Sequence, residues 1–221
     1  MQAKLDMQPV LKFLQGLKRN NNRDWFEAHR PEFEAARDQF EHYVAVLISA
    51  LARTESLSGV TPKDCIFRLN RDLRFTKDKT PYKPFMSAYI APGGRKSRQM
   101  GYYVHIQPGN HSLIAGGLHE PEPQQITAWR KSIDRDARPF KRIASDKTFR
   151  KYFGAVGGES LKTAPKGYPK DHPDLDLLRL KSVTVTRAIP DSLITSPRLV
   201  AETLKTFTAM KPLLRYLEKL G

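Results

Sequence analysis

A chain of 221 residues with 38 Lys and Arg against 23 Asp and Glu carries a net charge of +15 and has a pI near 10.0. That length suits a single domain over residues 1–221 with room for a buried core, and 39% hydrophobic with 10% aromatic residues excludes a disordered chain. Cys65 is the single cysteine, so an internal disulfide and a multi-cysteine metal site are excluded, and beside Ile66 and Phe67 it reads as a small buried apolar residue.

The first helix is predicted from Pro9, where Val10, Leu11, Phe13, Leu14 and Leu17 recur at helical spacing. Asn20 to Asn22 then interrupt it, and Asn21, Asn22 and Arg23 read as turn and capping chemistry for a second helix. Its apolar stripe starts at Trp25 and Phe26, breaks at Pro31 where a helix restarts, and continues through Phe33, Phe40, Tyr43, Val44, Leu47, Ile48 and Leu51. From Arg23 to Arg53 carboxylates outnumber Lys and Arg, so the basic excess lies elsewhere.

From Cys65 to Leu118 the apolar period changes to 2, and CIFRLN, KPFMSAYIA, GYYVHIQ and HSLIAGGL are strand candidates. A two-residue turn at Gly109 and Asn110 would pair the last two. Tyr102, Val104 and Ile106 then share an apolar face with Leu113, Ala115 and Gly117. Tyr103, His105 and Gln107 stand on the other face, with space for a ligand over Gly116.

QQITAWRKSID and DARPFKRIAS are predicted helices, the second with Asp136 near its cap. A Gly, Pro and Lys-rich loop runs from Gly154 to Pro173, its APKGYPKDHP portion either a structured loop that closes over the basic site or a surface connection whose Asp171 helps to cap the next helix. That short helix, DLDLLRL, a strand KSVTVTRA and a last helix from about Ser196 complete the chain. The class is α+β, a central mostly antiparallel sheet of about five strands with helices at both chain ends.

Several motifs carry a resemblance: LKRNNNRDWFEAHRPEF at 17–33, RDLRFTKDKTPYKP at 71–84, GYYVHIQPG at 101–109, GGLHEP at 116–121 and LKTAPKGYPKDHPDLDLLRLKS at 161–182. In this order they resemble a bacterial family known as domain of unknown function 2461. The resemblance implies one compact domain, and it supplies no reaction, cofactor or catalytic residue.

NRDLRFTKDKTPYK, residues 70–83, sets Arg71, Arg74, Lys77, Lys79 and Lys83 against Asp72 and Asp78. Arg forks take phosphate or carboxylate bidentately and lysines add mobile charge, so Arg68, Arg71, Arg74, Lys77, Lys79, Tyr82 and Lys83 form a candidate anion site, with Asp72 and Asp78 supporting. Pro81 and Pro84 force extended geometry on Thr80 and Lys83, which stiffens the segment. Tyr103 and His105 are the candidates for proton transfer, should the site carry out phosphoester chemistry. The histidines show no zinc spacing, and neither a metal nor another cofactor is expected.

The leading expectation is therefore a small anionic ligand. Two alternatives stand beside it. Nucleic acid could bind, independently of sequence, along the basic segment from Arg130 to Lys151 and the loop Arg95 to Arg98, or the basic motif could be a structural ion-pair network in a non-catalytic scaffold. No run is apolar enough to cross a bilayer and MQAKLDMQPVLKFL lacks a signal peptide's apolar core, so a cytoplasmic protein without a membrane partner is expected.

Overall fold

The computed structural model describes residues 5–74 and 77–220. Gln8–Arg19 forms α1, Arg23–Ala28 α2, Arg30–Leu51 α3 and Pro62–Cys65 α4. Strands β1, Met86–Ile90, β2, Tyr102–Ile106, and β3, Ser112–Leu118, come next, with a 3-10 turn at Gly94–Lys96. The helices α5, Pro123–Arg135, α6, Arg138–Ser145, α7, Lys147–Phe153, and α8, Leu175–Leu178, precede β4, Val183–Ile189, and the chain closes with α9, Asp191–Ile194, and α10, Leu199–Glu218. The fold is α+β, with four strands in one sheet in the order β1-β2-β3-β4 among the described residues.

Two compact units are present. The first comprises Met1–Arg98, Tyr102–Ile114 and Ala188–Leu204; the second comprises Gln99–Gly101, Ala115–Arg187 and Lys205–Gly221.

In the first unit, α1 lies on α3 because both are amphipathic: Val10, Phe13, Leu14 and Leu17 are buried on one, and Ala36, Phe40, Tyr43, Val44 and Leu47 on the other. The buried Tyr43 hydroxyl is satisfied by Thr203 Oγ1 at 2.7 Å. The Asn22 side chain accepts from Trp25 N at 2.9 Å and starts α2, and Pro31 sits in the first turn of α3. Strands β1 and β2 pair antiparallel, with Ser87 opposite His105 and Tyr89 opposite Tyr103.

The turn after β2 runs from Pro108 to His111 and takes positive φ at both Gly109 (88°) and Asn110 (64°). Asp191 clamps it. Its carboxylate accepts from Gly109 N at 2.7 Å and Asn110 N at 3.1 Å, and Asp191 N donates to Asn110 Oδ1 at 2.9 Å.

The second unit packs Trp129 edge-on against Phe140, centroids 4.9 Å apart, while the indole N–H donates to Leu177 O at 2.9 Å. Ile133, Phe149, Leu178, Val183, Val185, Phe207, Met210, Leu213 and Leu217 are also buried in this unit.

Two sequence expectations change. CIFRLN is not a regular strand. Thr61 N and Oγ1 both bond Asp64 Oδ2, at 2.9 and 2.6 Å, and with Pro62 in the first turn they draw Cys65 into α4. Only Ile66 and Asn70 then make isolated bridges, to Ala88 and Tyr82. The sheet accordingly has four strands rather than about five. Nor is there ligand space over Gly116, because a Cβ built there would stand 2.3 Å from Met210 Sδ and 3.4 Å from Leu214 Cδ2. The missing side chain admits α10.

Candidate functional site

The basic stretch folds back on itself in the first unit. Arg71 N donates to Pro81 O and Lys83 N to Leu69 O, each at 2.9 Å, so Asn70 and Tyr82 face one another as a bridge whose own amides point outward. Phe75 and Thr76, at its tip, lie outside the described residues.

Arg71 spans the fold. Its Nε donates to Thr80 O at 3.2 Å, and its Nη2 to Tyr82 O at 3.4 Å and to Asp78 Oδ2 at 2.9 Å, leaving the side chain only 21% exposed. Asp78 is itself oriented by Thr80, whose N–H and hydroxyl donate to Oδ1 at 2.9 and 2.7 Å. These two donors, then Arg71, hold the Asp78 carboxyl below its usual range.

Arg74 and Asp72 form a fork, Nε to Oδ1 at 3.0 Å and Nη2 to Oδ2 at 2.7 Å. The fork and the Arg74 backbone N–H keep Asp72 far below the normal carboxylate range. Arg74 is 75% exposed, so this pair adds little to stability. Lys79 Nζ donates to Leu73 O at 3.0 Å, and Lys77 is exposed.

Arg68 and Lys83 differ from these. Lys83 Nζ donates to Arg68 O at 3.1 Å, and among the described residues neither side chain pairs with a carboxylate. Burial pushes the Lys83 ammonium below its ordinary value, and the charges of Arg68 and Arg71 push in the same direction.

Tyr82, expected to touch a ligand, is turned inward. Only 6% exposed, its ring stacks on Phe26 with centroids 4.3 Å apart and planes at 17°. Its outward amide groups meet Asn21: Asn21 Nδ2 donates to Tyr82 O at 2.9 Å, and Tyr82 N to Asn21 Oδ1 at 3.1 Å.

Tyr103 and His105 share a strand face, as their spacing required. The Tyr103 hydroxyl meets His105 Nδ1 at 3.1 Å, His105 Nε2 meets Gln107 Oε1 at 2.8 Å, and Phe85 stacks on the imidazole at 4.2 Å. With Gln107 Oε1 accepting, Nε2 carries the proton and Nδ1 accepts from Tyr103. Burial lowers the His105 pKa, against the Gln107 bond, and raises the Tyr103 phenol, against its bond to Ser87. Phe67 meets Tyr103 at a ring distance of 6.4 Å. Phe67 and Phe85, which contact Tyr103 and His105, are near neighbours of Arg68 and Lys83 in the sequence.

A second polar cluster, in the second unit, escaped the sequence. His172 Nε2 lies 3.3 Å from Asp134 Oδ1, Asp174 N donates to His172 Nδ1 at 3.0 Å, and the Asp174 carboxylate pairs with Lys141. Both imidazole nitrogens are therefore engaged. Asp174, not Asp171, holds the cap position of α8. Among the described residues no group of three or more His, Cys, Asp or Glu could hold a metal ion, and no helix is long and apolar enough to cross a membrane.

An α+β protein with a basic folded segment clamped to its N-terminal helices is the class these observations define. The model of the family described as "Conserved hypothetical protein (DUF2461)" matches residues 9–216, and the chain belongs to that family. No curated protein and no solved structure matches the chain.

Proposed function

We propose that this protein binds a small anion, phosphate- or carboxylate-bearing, through Arg68 and Lys83. The observation that carries the proposal is the placing of a half-buried ammonium beside two guanidinium groups with no salt bridge on Arg68 or Lys83 among the described residues, Asp72 acting on Arg68 only through space while its oxygens are held by Arg74. A bound anion would lift the mutual repulsion of these groups, which acts more strongly where water is partly excluded.

The basic stretch then divides by role. Arg71 and Asp78 hold the fold of the segment, Asp72 holds Arg74, and the exposed Arg74, Lys77 and Lys79 add attraction at longer range. Tyr82 positions the segment rather than touching the ligand. A structural ion-pair network is the second reading, and the Arg71 and Arg74 pairs favour it for those two residues.

Phosphoester chemistry would extend the same site, with Tyr103 or His105 giving a proton.

Calorimetric titration with inorganic phosphate, pyrophosphate and citrate at low salt tests the binding. The wild type should bind at least one of them, and Arg68→Gln and Lys83→Gln should each weaken it by about tenfold, ~1.4 kcal/mol. Equal affinity in wild type and both variants, with folding intact, overturns the proposal.

A further inference from the structure

The basic segment of the second unit contains Asp134, Asp136 and Asp146 as its carboxylates, and the structure commits all three internally. Asp134 faces His172, Asp136 forms a fork with Arg138 at 2.8 and 2.9 Å, and Asp146 accepts from Phe149 N at 2.9 Å at the start of α7. Lys141 is paired with Asp174, and Arg130 donates to Leu178 O and Leu180 O at 2.9 and 3.3 Å. Lys131, Arg142, Lys147, Arg150 and Lys151 remain exposed, with no ion pair among the described residues.

Helical geometry keeps these cations away from the core. In α7, Lys147, Arg150 and Lys151 take i, i+3, i+4 spacing opposite the buried Phe149. In α6, Arg138, Lys141 and Arg142 stand in the same way opposite the buried Phe140. The aromatics of this region are also spoken for. Trp129, Phe140 and Phe149 are buried, and the Arg187 guanidinium lies 4.6 Å from the Tyr152 ring centroid. No fully exposed aromatic ring lies on this face: Tyr152 and Phe153 are half-buried, and Phe153 packs on Phe149 with centroids 5.2 Å apart.

We infer that the exposed face of α6 and α7, extended by Lys131 of α5, binds the phosphate backbone of duplex nucleic acid without reading sequence. Cations alone meet phosphates at any sequence, whereas a single strand is normally gripped through aromatic stacking, for which this face has no fully exposed ring. The site is independent of Arg68 and Lys83.

The test is fluorescence anisotropy of a labelled random-sequence duplex with the full chain, over 50–200 mM salt. About five phosphate contacts predict a log-log slope near −4.5 and about a 500-fold loss of affinity across that range. R142Q/K147Q/R150Q/K151Q should reduce the slope to about −1, R142K/R150K should keep it, and R68Q/K83Q should leave it unchanged; circular dichroism verifies folding of each. The inference is overturned if the duplex does not bind at 50 mM salt, or if R142Q/K147Q/R150Q/K151Q keeps the wild-type slope. It is equally overturned by R142K/R150K losing the slope, by tighter binding of oligo-dT than of duplex, or by binding to anionic vesicles that outcompetes it.

Discussion

Asn21 and Tyr82, 61 residues apart, pair as adjacent strands do: the Asn21 carboxamide gives Nδ2–H to the Tyr82 carbonyl and takes the Tyr82 N–H on Oδ1. One side chain thereby satisfies a backbone unit that the Asn70 bridge leaves facing outward. The stacking of Phe26 on Tyr82 completes the attachment.

Asn21→Ala should therefore cost about 1–3 kcal/mol, because it strands the N–H of a mostly buried residue and leaves its carbonyl only the long bond from Arg71. Urea unfolding checks this, with Asn20→Ala as the comparison, since the side chain of exposed Asn20 bonds Gly16 O within its own helix turn. A cost below about 0.5 kcal/mol would mean that water replaces Asn21 freely.

Asp191→Ala should loosen the β2–β3 turn. The Gly109 and Asn110 amides lose their acceptor, so their hydrogen exchange should accelerate and stability fall by about 1–2 kcal/mol. Unchanged exchange at both amides would show that the turn holds itself.

Folding should become less favourable in mild acid through His105. Burial places its folded pKa below the unfolded value of about 6.5, so the unfolded chain takes up the proton first. Its contribution is complete above the unfolded value and is lost as pH falls through the folded one. In thermal melts from pH 7 to pH 5, His105→Asn should show a shallower decline than wild type, and the wild-type ring should titrate below about 6.5 by NMR. A midpoint above that value contradicts the assignment.

Anion binding should weaken in alkali earlier than an ordinary lysine would dictate. Lys83 loses its proton below the ordinary lysine pKa while arginine stays charged, so affinity for phosphate should fall as pH rises through the lowered Lys83 value. Lys83→Arg should remove that fall. Parallel pH profiles in the two proteins would exclude Lys83 as a ligand contact.

Much of the architecture was legible in local pattern. The apolar spacing from Val10 to Leu17 and from Phe33 to Leu51 corresponds to α1 and α3, and a turn falls at Gly109 and Asn110, though it extends from Pro108 to His111. Strand CIFRLN failed at its start because α4, nucleated by Thr61, Pro62 and Asp64, takes Cys65, and beyond it Ile66 and Asn70 make only isolated bridges. Tyr103 and His105 share a face by the period of a strand, but their bond to one another, and the engagement of Gln107, needed coordinates.

Side-chain alternation and helical spacing act over a few residues, so the amino-acid order alone settles which face each apolar group takes and where caps and turns fall. It does not say which cations are neutralised. Arg71 and Arg68 are equivalent charges three positions apart in the chain, yet one is spent on Asp78, Thr80 and Tyr82 while the other forms no salt bridge among the described residues and feels Asp72 only through space. That division depends on distances of a few ångströms between segments brought together by folding, and Coulomb and hydrogen-bond energies change sharply over such distances. The same holds for Gly116, whose apparent vacancy along the strand is occupied by Met210 from a helix nearly a hundred residues later.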